Sequence, residues 1–465
     1  MTNADPARMH RPDAAMTDMI LEAVRARLML DEAPLDAVAH REDLATTLRG
    51  LITEDGRDVG EVLNLYAEHL APTILSADSP RMFAFIPSAP TKAALLFDMV
   101  VSAASIQGIS WLEAAGAVMA ENQALRVLAD FARLPETSGG VFVSGGSAAN
   151  LSALVVARES ARRRRRDAGL PDIPLQVVVS DQAHSSIANA LVITGMDALV
   201  VHTPDGRLTH ESLMSAVSDC DETDLARICA IVATSGTTNA GIVDDLSAAA
   251  TVARAHQWWF HVDGAYGGAG LMLPELADRY AGIEHADSVV MDPHKWWFAP
   301  FDCAALLYRD PACARSVHAQ HASYLDVIHD DDDLNPSDLA YHLTRRARGL
   351  PLWFSLAVNG LSAYREAIRQ SVVLARYAAD AIARREDCEL VMDPQLGIVL
   401  FRRHGWSAGD YALWSQQLLH DQAAFVASTT WQGQTVGRLA FLHPATTTAM
   451  VDVVLQRLGE PASRQ

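Results

Sequence analysis

The chain of 465 residues is 50% hydrophobic and 20% charged, which is typical of globular proteins and excludes wholesale disorder. Its formal net charge of −20 argues against non-specific binding to nucleic acid or to an anionic membrane surface. The five cysteines have no C-x-x-C spacing, which predicts neither a disulfide framework nor a zinc site. Residues 1–19 lack the apolar core of a signal peptide, and no run reaches about 18 apolar residues. We therefore expect a soluble, cytoplasmic protein without a metal ion.

Helical periodicity characterises the N-terminal part of the chain. Met16 to Leu30 and Asp58 to Leu70 each place apolar residues on one face, which predicts amphipathic helices. Such an apolar face is expected to pack against another surface, either the chain's own large domain or a second subunit. We assign residues 1–80 to a helical arm that serves dimerisation.

Short β-rich runs alternate with helical stretches in the middle of the chain. Most of these runs are continuously apolar, which predicts an α/β domain at residues 81–345 with a mainly parallel sheet buried on both faces. Ligands bind beyond the carboxyl ends of such strands, so residues after the runs should meet at one crevice. Helical periodicity then returns, and residues 346–465 are predicted to form a small C-terminal αβ domain. The predicted strands are Val141–Val143, Leu175–Ser180, Ala198–Thr203, Ile228–Thr234, Trp258–Asp263, Ser288–Asp292 and Ala304–Tyr308.

The junction between the first strand and the next helix, residues 144–150, reads Ser-Gly-Gly-Ser-Ala-Ala-Asn. Small residues at the start of a helix leave its backbone N–H groups and its positive dipole open to an anion. A tight turn without any ligand would produce the same pattern. The junction is therefore a candidate phosphate site.

Three ionisable residues follow other predicted strands. Asp263, in His-Val-Asp-Gly-Ala-Tyr, could hold a cationic ring nitrogen or cap a turn. Lys295, in Asp-Pro-His-Lys-Trp-Trp, has aromatic neighbours that would depress the pKa of its amine and favour Schiff-base chemistry, although a surface lysine fits too. His184 lies just after the strand that ends at Ser180 and could be structural. Each residue alone leaves both interpretations open.

These elements are more specific together than alone. The glycine-rich junction, His184, a hydroxylated loop at Thr234–Thr238, Asp263 and Lys295 occur in this order, each at the end of a predicted strand. Pyridoxal 5'-phosphate (PLP) requires all of them, because it has a phosphate, a stacking face, a ring nitrogen and an aldehyde. The sequence therefore predicts a PLP site in the crevice.

The motifs SGGSAANLSAL, DQAHSS, SGTT, HVDGAYGG and DPHKW resemble those of the PLP-dependent group II amino-acid decarboxylases. This family includes aromatic-L-amino-acid, glutamate and diaminobutyrate decarboxylases. The resemblance extends from about Met82 to Thr447, with weaker similarity in the N-terminal arm. It implies the fold-type I, aminotransferase-like fold with a central seven-stranded sheet, and a homodimer with shared active sites.

The resemblance also implies roles for individual residues. Lys295 would hold PLP as a Schiff base, Asp263 would pair with the ring nitrogen, and His184 would stack on the ring. Ala265 would pack against the opposite ring face. Tyr324 matches the tyrosine of the family's mobile catalytic loop, where related aldehyde synthases carry phenylalanine.

Further residues are expected to bind the cofactor or the substrate. The phosphate donors implied by the resemblance are Ser147, Ala148 and Ala149, with help from Asp292 or His294, and Thr237 would lie near the ring hydroxyl. The substrate side would be formed by Phe85, Pro87, Ser88, Gln107 and Trp111. Asp292 departs from the asparagine of many relatives, and Gln107 replaces a larger apolar residue of the animal aromatic enzymes.

The predicted activity is decarboxylation of an L-amino acid that is aromatic or medium-sized and apolar. The substrate would be a small molecule, and neither nucleic acid nor a membrane is expected as a partner. An aldehyde synthase, an aminotransferase or a C–C lyase on the same scaffold is the alternative, and Tyr324 argues mildly against the first. A non-catalytic scaffold is disfavoured because Lys295, Asp263 and His184 are all present.

Overall fold

The computed structural model describes residues 7–87, 89–320, 322–323 and 335–459. Asp13 and Asp58 cap the first and third α-helices by accepting backbone N–H bonds, which confirms two predicted amphipathic helices. Helices α1 to α3 bury no residue, so their apolar stripes lie at the surface. The α-helices before the first strand are α1 (Ala14–Leu28), α2 (Arg41–Thr47), α3 (Val59–Leu65), α4 (Lys92–Ala103) and α5 (Trp111–Phe131).

A seven-stranded sheet with the order β1-β7-β6-β5-β4-β2-β3 forms the centre of the described structure. Strand β7 is antiparallel to β1 and β6, and the other neighbours are parallel. All seven predicted strands and the mainly parallel sheet are thus confirmed, with shifts of one or two residues at some ends. The strands are β1 (Gly139–Val143), β2 (Gln176–Ser180), β3 (Asp197–Val201), β4 (Ile228–Thr234), β5 (Trp259–Asp263), β6 (Ser288–Met291) and β7 (Ala304–Tyr308).

Helices cover both faces of this sheet. In β2, Val177 and Val179 pack in a core with α6 and α7, whereas Val178 between them packs in the core that contains α8 and α10. Full burial of a valine contributes about 1.5–3 kcal/mol, which explains why apolar residues occur continuously along the inner strands. The helices of this region are α6 (Gly146–Asp167), α7 (Ser185–Thr194), α8 (His210–Ser218), α9 (Glu222–Arg227), α10 (Leu246–His256) and α11 (Pro311–His318).

The C-terminal region has a separate antiparallel sheet with the order β10-β11-β9-β8. It follows a helix of 34 residues, α12, which is interrupted at Gly360 with a φ of 74°, a conformation that glycine adopts without strain. No helix in the described part of the chain, α12 included, is long and apolar enough to cross a membrane. The elements are α12 (Leu350–Ala383), β8 (Cys388–Leu390), β9 (Ile398–Arg403), α13 (Ala408–His420), β10 (Ala427–Trp431), β11 (Gln434–Ala440) and α14 (Thr448–Gln456).

Phe83 connects the chain that precedes the large sheet to the C-terminal sheet. Its N–H donates to the carbonyl of Phe425 at 2.8 Å, and its own carbonyl accepts from the N–H of Ala440 at 2.9 Å. The ring of Phe83 also contacts Phe441, with 5.4 Å between centroids. The division of the chain at residues 80 and 345 stays a prediction, and Phe83 makes these contacts across the second boundary.

Candidate active site

The first turn of α6 forms an open anion site at the carboxyl edge of the large sheet. The helix begins at Gly146, whose N–H donates to Asp292 Oδ2 at 3.2 Å, and its N-cap residue, Gly145, has no side chain of its own to cap it. A Cβ atom on Gly146 would lie 2.9 Å from Asp292 Oδ2 and 3.2 Å from Ala265 Cβ, so glycine permits the close approach of α6 to the residues that follow β6 and β5. The first N–H groups of a helix have no intrahelical partner and can donate to a phosphate. The predicted phosphate donors lie in this turn: Ser147, Ala148 and Ala149.

Lys295 follows β6 and lies against acidic side chains. Its Nζ is 2.9 Å from Oδ2 of Asp292, whose side chain is 1% exposed. Burial opposes the charged amine, but the charge and hydrogen bond of Asp292 and the charge of Asp263 outweigh it and raise the pKa of Lys295. The prediction that its aromatic setting would depress this pKa is therefore wrong, because sequence did not reveal that both carboxylates approach the amine.

Asp263 is the last residue of β5 and is 4% exposed. Its Oδ1 accepts from the N–H of Ala265 at 3.1 Å, and its Oδ2 accepts from Nδ2 of Asn150 at 2.9 Å. Two neutral donors fix the carboxylate without cancelling its charge. Asp263 is thus available to pair with a cationic nitrogen in the crevice.

His184 lies at the N-cap of α7, just after β2. Its Nδ1 accepts from the backbone N–H of Ser186 at 3.2 Å and lies 2.9 Å from the hydroxyl of the same serine. The ring is therefore held through its Nδ1 edge. This leaves Nε2 as the ring atom that can meet a ligand.

His294 and Thr237 hold the loops that follow β6 and β4. His294 is 8% exposed, and its Nδ1 accepts from the N–H of Cys303 at 3.0 Å; its Nε2 lies 3.6 Å from Asp292 Oδ2. The hydroxyl of Thr237 accepts from the N–H of Ile242 at 3.1 Å. Both side chains are engaged in loop structure, and their roles toward a cofactor stay predictions.

The predicted substrate-side residues lie in different places. Phe85 is exposed, and its carbonyl accepts from Nη1 of Arg438 at 2.9 Å. Pro87 is buried, Gln107 is exposed and Trp111 begins α5. Within the described part of the chain, neither Gln107 nor Trp111 makes a hydrogen bond or ring contact with Lys295, Asp263 or His184. The predicted Ser88 and Tyr324 lie outside the described residues.

Sequence analysis missed four residues that organise the crevice. Arg438 donates to the backbone carbonyls of Asn239, Phe85 and Thr238, and thereby ties the C-terminal sheet to two crevice loops. The other three, which surround Asp263 and His184, are Asn150, Ser186 and His261. Asn150, Ser186 and His261 are all parts of the quoted motifs, so proximity to the glycine junction, to His184 and to Asp263 was the available signal.

The described residues fit PLP. The crevice combines an amine, a carboxylate at a strand end and the N-terminus of α6. A cavity of about 310 Å³ opens beside Ser147 and Ser186, and Lys295, Asp263 and His184 do not line it. Two buried oxygens, Ser235 Oγ and Asp292 Oδ1, have no hydrogen-bond partner within the described ranges. Orphaned buried polar atoms are expected where a polar ligand completes a site.

The family model for the pyridoxal-dependent decarboxylase conserved domain matches residues 45–404. The chain belongs to this family. Its members' cofactor, PLP, is the one that the crevice fits, so the chain is a PLP-dependent amino-acid decarboxylase. The predicted family, fold class, cofactor and enzyme class are thereby confirmed, whereas the cytoplasmic location and the roles of single residues stay predictions.

Individual relatives extend over most of this decarboxylase. Aromatic-L-amino-acid decarboxylase of Bacillus atrophaeus is 28% identical over 443 residues, which are 92% of this chain and 91% of the relative. L-2,4-Diaminobutyrate decarboxylase of Rhizobium meliloti is 32% identical over 79% of this chain and 75% of the relative. The structure of Oryza sativa TDC with PLP and tryptamine has a TM-score of 0.87 at 25% identity, covering 98% of this chain and 99% of that one.

One further solved structure shares the fold at lower identity. Rhodiola rosea 4-hydroxyphenylacetaldehyde synthase has a TM-score of 0.85 at 23% identity, covering 98% of this chain and 97% of that one. An aldehyde synthase and a decarboxylase can therefore have the same backbone. The difference between these reactions must lie in side chains rather than in the fold.

Proposed function

We propose that this decarboxylase acts on L-amino acids with an aromatic or medium-sized apolar side chain. The observation that carries the catalytic proposal is the position of the Lys295 amine. It lies 2.9 Å from Asp292, at the edge of the sheet where β5 ends at Asp263 and α6 begins. Aromatic-L-amino-acid, tryptophan and tyrosine decarboxylases are among the relatives. Phe85 and Trp111 offer rings suited to such substrates.

Lys295 and Asp263 perform separate tasks in this proposal. When bound, PLP supplies an electron-withdrawing ring that stabilises negative charge on the substrate α-carbon after carbon dioxide leaves. Lys295 would hold the cofactor aldehyde through its Nζ. Asp263, fixed by Ala265 and Asn150, keeps a proton on the ring nitrogen.

His184 and α6 orient the bound molecules. The N–H groups of the first turn of α6 hold the phosphate, which positions the cofactor relative to Lys295. His184 is fixed through Nδ1, so its Nε2 edge would face the bound molecules and could donate to the substrate carboxylate.

We also propose a homodimer. An apolar cavity of about 810 Å³ lies between α4, α5 and the start of α12 and is lined by Phe97, Met119 and Trp353, among others. Contiguous apolar surface of this kind usually marks an interface, and the occupant we infer is a second copy of this chain. Large exposed side chains on α1, α4 and α5 include Ile20, Leu21, Leu96, Val100, Leu112 and Met119.

A paired measurement tests the proposed reaction. Visible spectra of the purified enzyme should show a PLP band near ~420 nm, and one class of amino acid should release carbon dioxide and its amine. Tryptophan, tyrosine, phenylalanine, 2,4-diaminobutyrate and glutamate form the first panel. Release from diaminobutyrate or glutamate alone would contradict the proposed substrate class, and an aldehyde product would contradict simple decarboxylation.

A further inference from the structure

Asn150 lies at the centre of a buried chain of hydrogen bonds beneath the crevice. Its Nδ2 donates to Asp263 Oδ2 and to Ser186 Oγ, both at 2.9 Å. Its Oδ1 lies 2.9 Å from Nε2 of His261. Asn150 and His261 are 1% and 0% exposed, so water does not compete for these bonds.

The direction of each bond follows from groups that can only donate or only accept. Asp263 accepts as a carboxylate, which requires that the amide nitrogen of Asn150 face it. The amide oxygen then accepts from His261, so Nε2 of His261 carries the proton. Burial lowers the pKa of His261 to about 4, although the charge of Asp263 opposes this, and the ring is neutral. Its Nδ1 therefore accepts from Ser288, which in turn accepts from the indole N–H of Trp259 at 2.8 Å.

The same reasoning determines the proton position on His184. The backbone N–H of Ser186 donates to His184 Nδ1, so this nitrogen accepts. Because the hydroxyl of Ser186 already accepts from Asn150, its own proton is directed to the same Nδ1 at 2.9 Å. The neutral ring of His184 consequently carries its proton on Nε2, the edge that is open to a ligand.

We propose that Asn150 is a positioning residue whose amide orients Asp263 directly and His184 through the hydroxyl of Ser186. The side chain of Asn150 thereby fixes two groups relative to each other. Asp263 is proposed to face the ring nitrogen, and His184 is proposed to face the substrate carboxylate. The consequence for catalysis rests on the proposed function. The hydrogen-bond directions do not rest on the proposed function, because they are properties of the chain without cofactor.

The test reverses the chain of bonds with Asn150→Asp. An acidic side chain at this position accepts from the Ser186 hydroxyl, which turns the oxygen of that hydroxyl toward His184 Nδ1 as an acceptor. This favours a proton on Nδ1 in competition with the backbone N–H of Ser186, whereas Ser186→Ala offers no such acceptor. We expect ¹⁵N spectra of cofactor-free, histidine-labelled enzyme to show a pyridine-like Nδ1 and a pyrrole-like Nε2 for His184. In Asn150→Asp, the Nδ1 resonance should move toward the pyrrole-like position. His184→Gln assigns the signal among the 17 histidines.

Two variants serve as controls. Ser288→Ala removes an equally buried hydroxyl from the far end of the chain of bonds and should leave the His184 signals in place. Ser186→Ala keeps the backbone donor, so Nδ1 should remain pyridine-like, and this variant keeps the inference testable if Asn150→Asp folds poorly. The proposal is overturned if Asn150→Asp leaves the His184 signals unchanged, or if Ser288→Ala moves them as far. It is also overturned if Nδ1 of His184 is pyrrole-like in the parent enzyme or in Ser186→Ala.

Kinetics separate a positioning role from a structural one. In the enzyme with PLP bound, Asn150→Asp should lower kcat at least tenfold and shift the pH dependence of kcat. Ser288→Ala should lower thermal stability and leave the pH dependence of kcat nearly unchanged. Equal profiles in the two variants would overturn the catalytic part of the inference. Absence of carbon dioxide release from any substrate would instead refute the proposed function and leave the NMR result intact.

Discussion

The carboxylates near Lys295 find partners within the chain, whereas α1, α4 and α5 leave large apolar side chains in water. Asp263 receives two donors within the chain, and Asp292 pairs with the amine of Lys295. Val100 and Met119, by contrast, remain 52% and 57% exposed. A single chain therefore supplies partners for the polar groups of the site. The apolar faces of α1, α4 and α5 would be buried only by contact with another surface.

The largest effect is expected from removal of the amine. Lys295→Ala should abolish the visible PLP band and lower carbon dioxide release by roughly 10⁴-fold or more, because the cofactor loses its covalent attachment. The chain has one other lysine, Lys92, which is exposed at the start of α4. Lys92→Ala should keep both band and activity, and loss of the band in that variant would contradict the assignment of the amine.

A smaller effect is expected at the apolar faces. The double substitution Val100→Asp with Met119→Asp should weaken dimerisation by roughly 100-fold, about 2.7 kcal/mol, because two charges would enter an apolar interface. Light scattering over a dilution series measures the change. Val453→Asp, at an exposed position on α14, should leave the mass unchanged. A parent enzyme with the mass of one chain would refute the interface altogether.

The smallest effect concerns cofactor capture and its pH dependence. Asp292 raises the pKa of Lys295 against the effect of burial, so the amine stays protonated at neutral pH and attacks the PLP aldehyde slowly. In Asp292→Asn burial is opposed only by the charge of Asp263, so the pKa of Lys295 falls, and capture at pH 7 should be about tenfold faster per unit of pKa lost. The pH at which the rate of PLP capture reaches half of its maximum should also be lower in Asp292→Asn than in the parent enzyme.

Rapid mixing of cofactor-free enzyme with PLP, followed by visible absorbance across pH, measures this change. Asp302→Asn is a suitable control, because that carboxylate pairs with Arg348 on a neighbouring loop. Identical rate profiles for Asp292→Asn and the parent enzyme would show that Asp292 does not govern the protonation of Lys295.

The sheet and the position of the crevice could be predicted because they depend on local patterns. Inner strands of a parallel sheet are apolar on both faces, so β4 and β5 were recognisable from continuous apolar runs. Lys295 and Asp263 were recognisable because each follows such a strand. The pKa of Lys295 was not predictable, because its direction depends on a carboxylate three residues away that could have turned elsewhere.

The sequence by itself determined the family, the cofactor and the order of the strands along the chain, since these depend on motifs and hydrophobic periodicity. The position of Asn150, from the start of α6, between Asp263 at the end of β5 and Ser186 in the first turn of α7 is a result of the tertiary structure. The physical reason is that a buried amide must satisfy its donors and its acceptor, and which partners do so depends on distances that no local pattern contains.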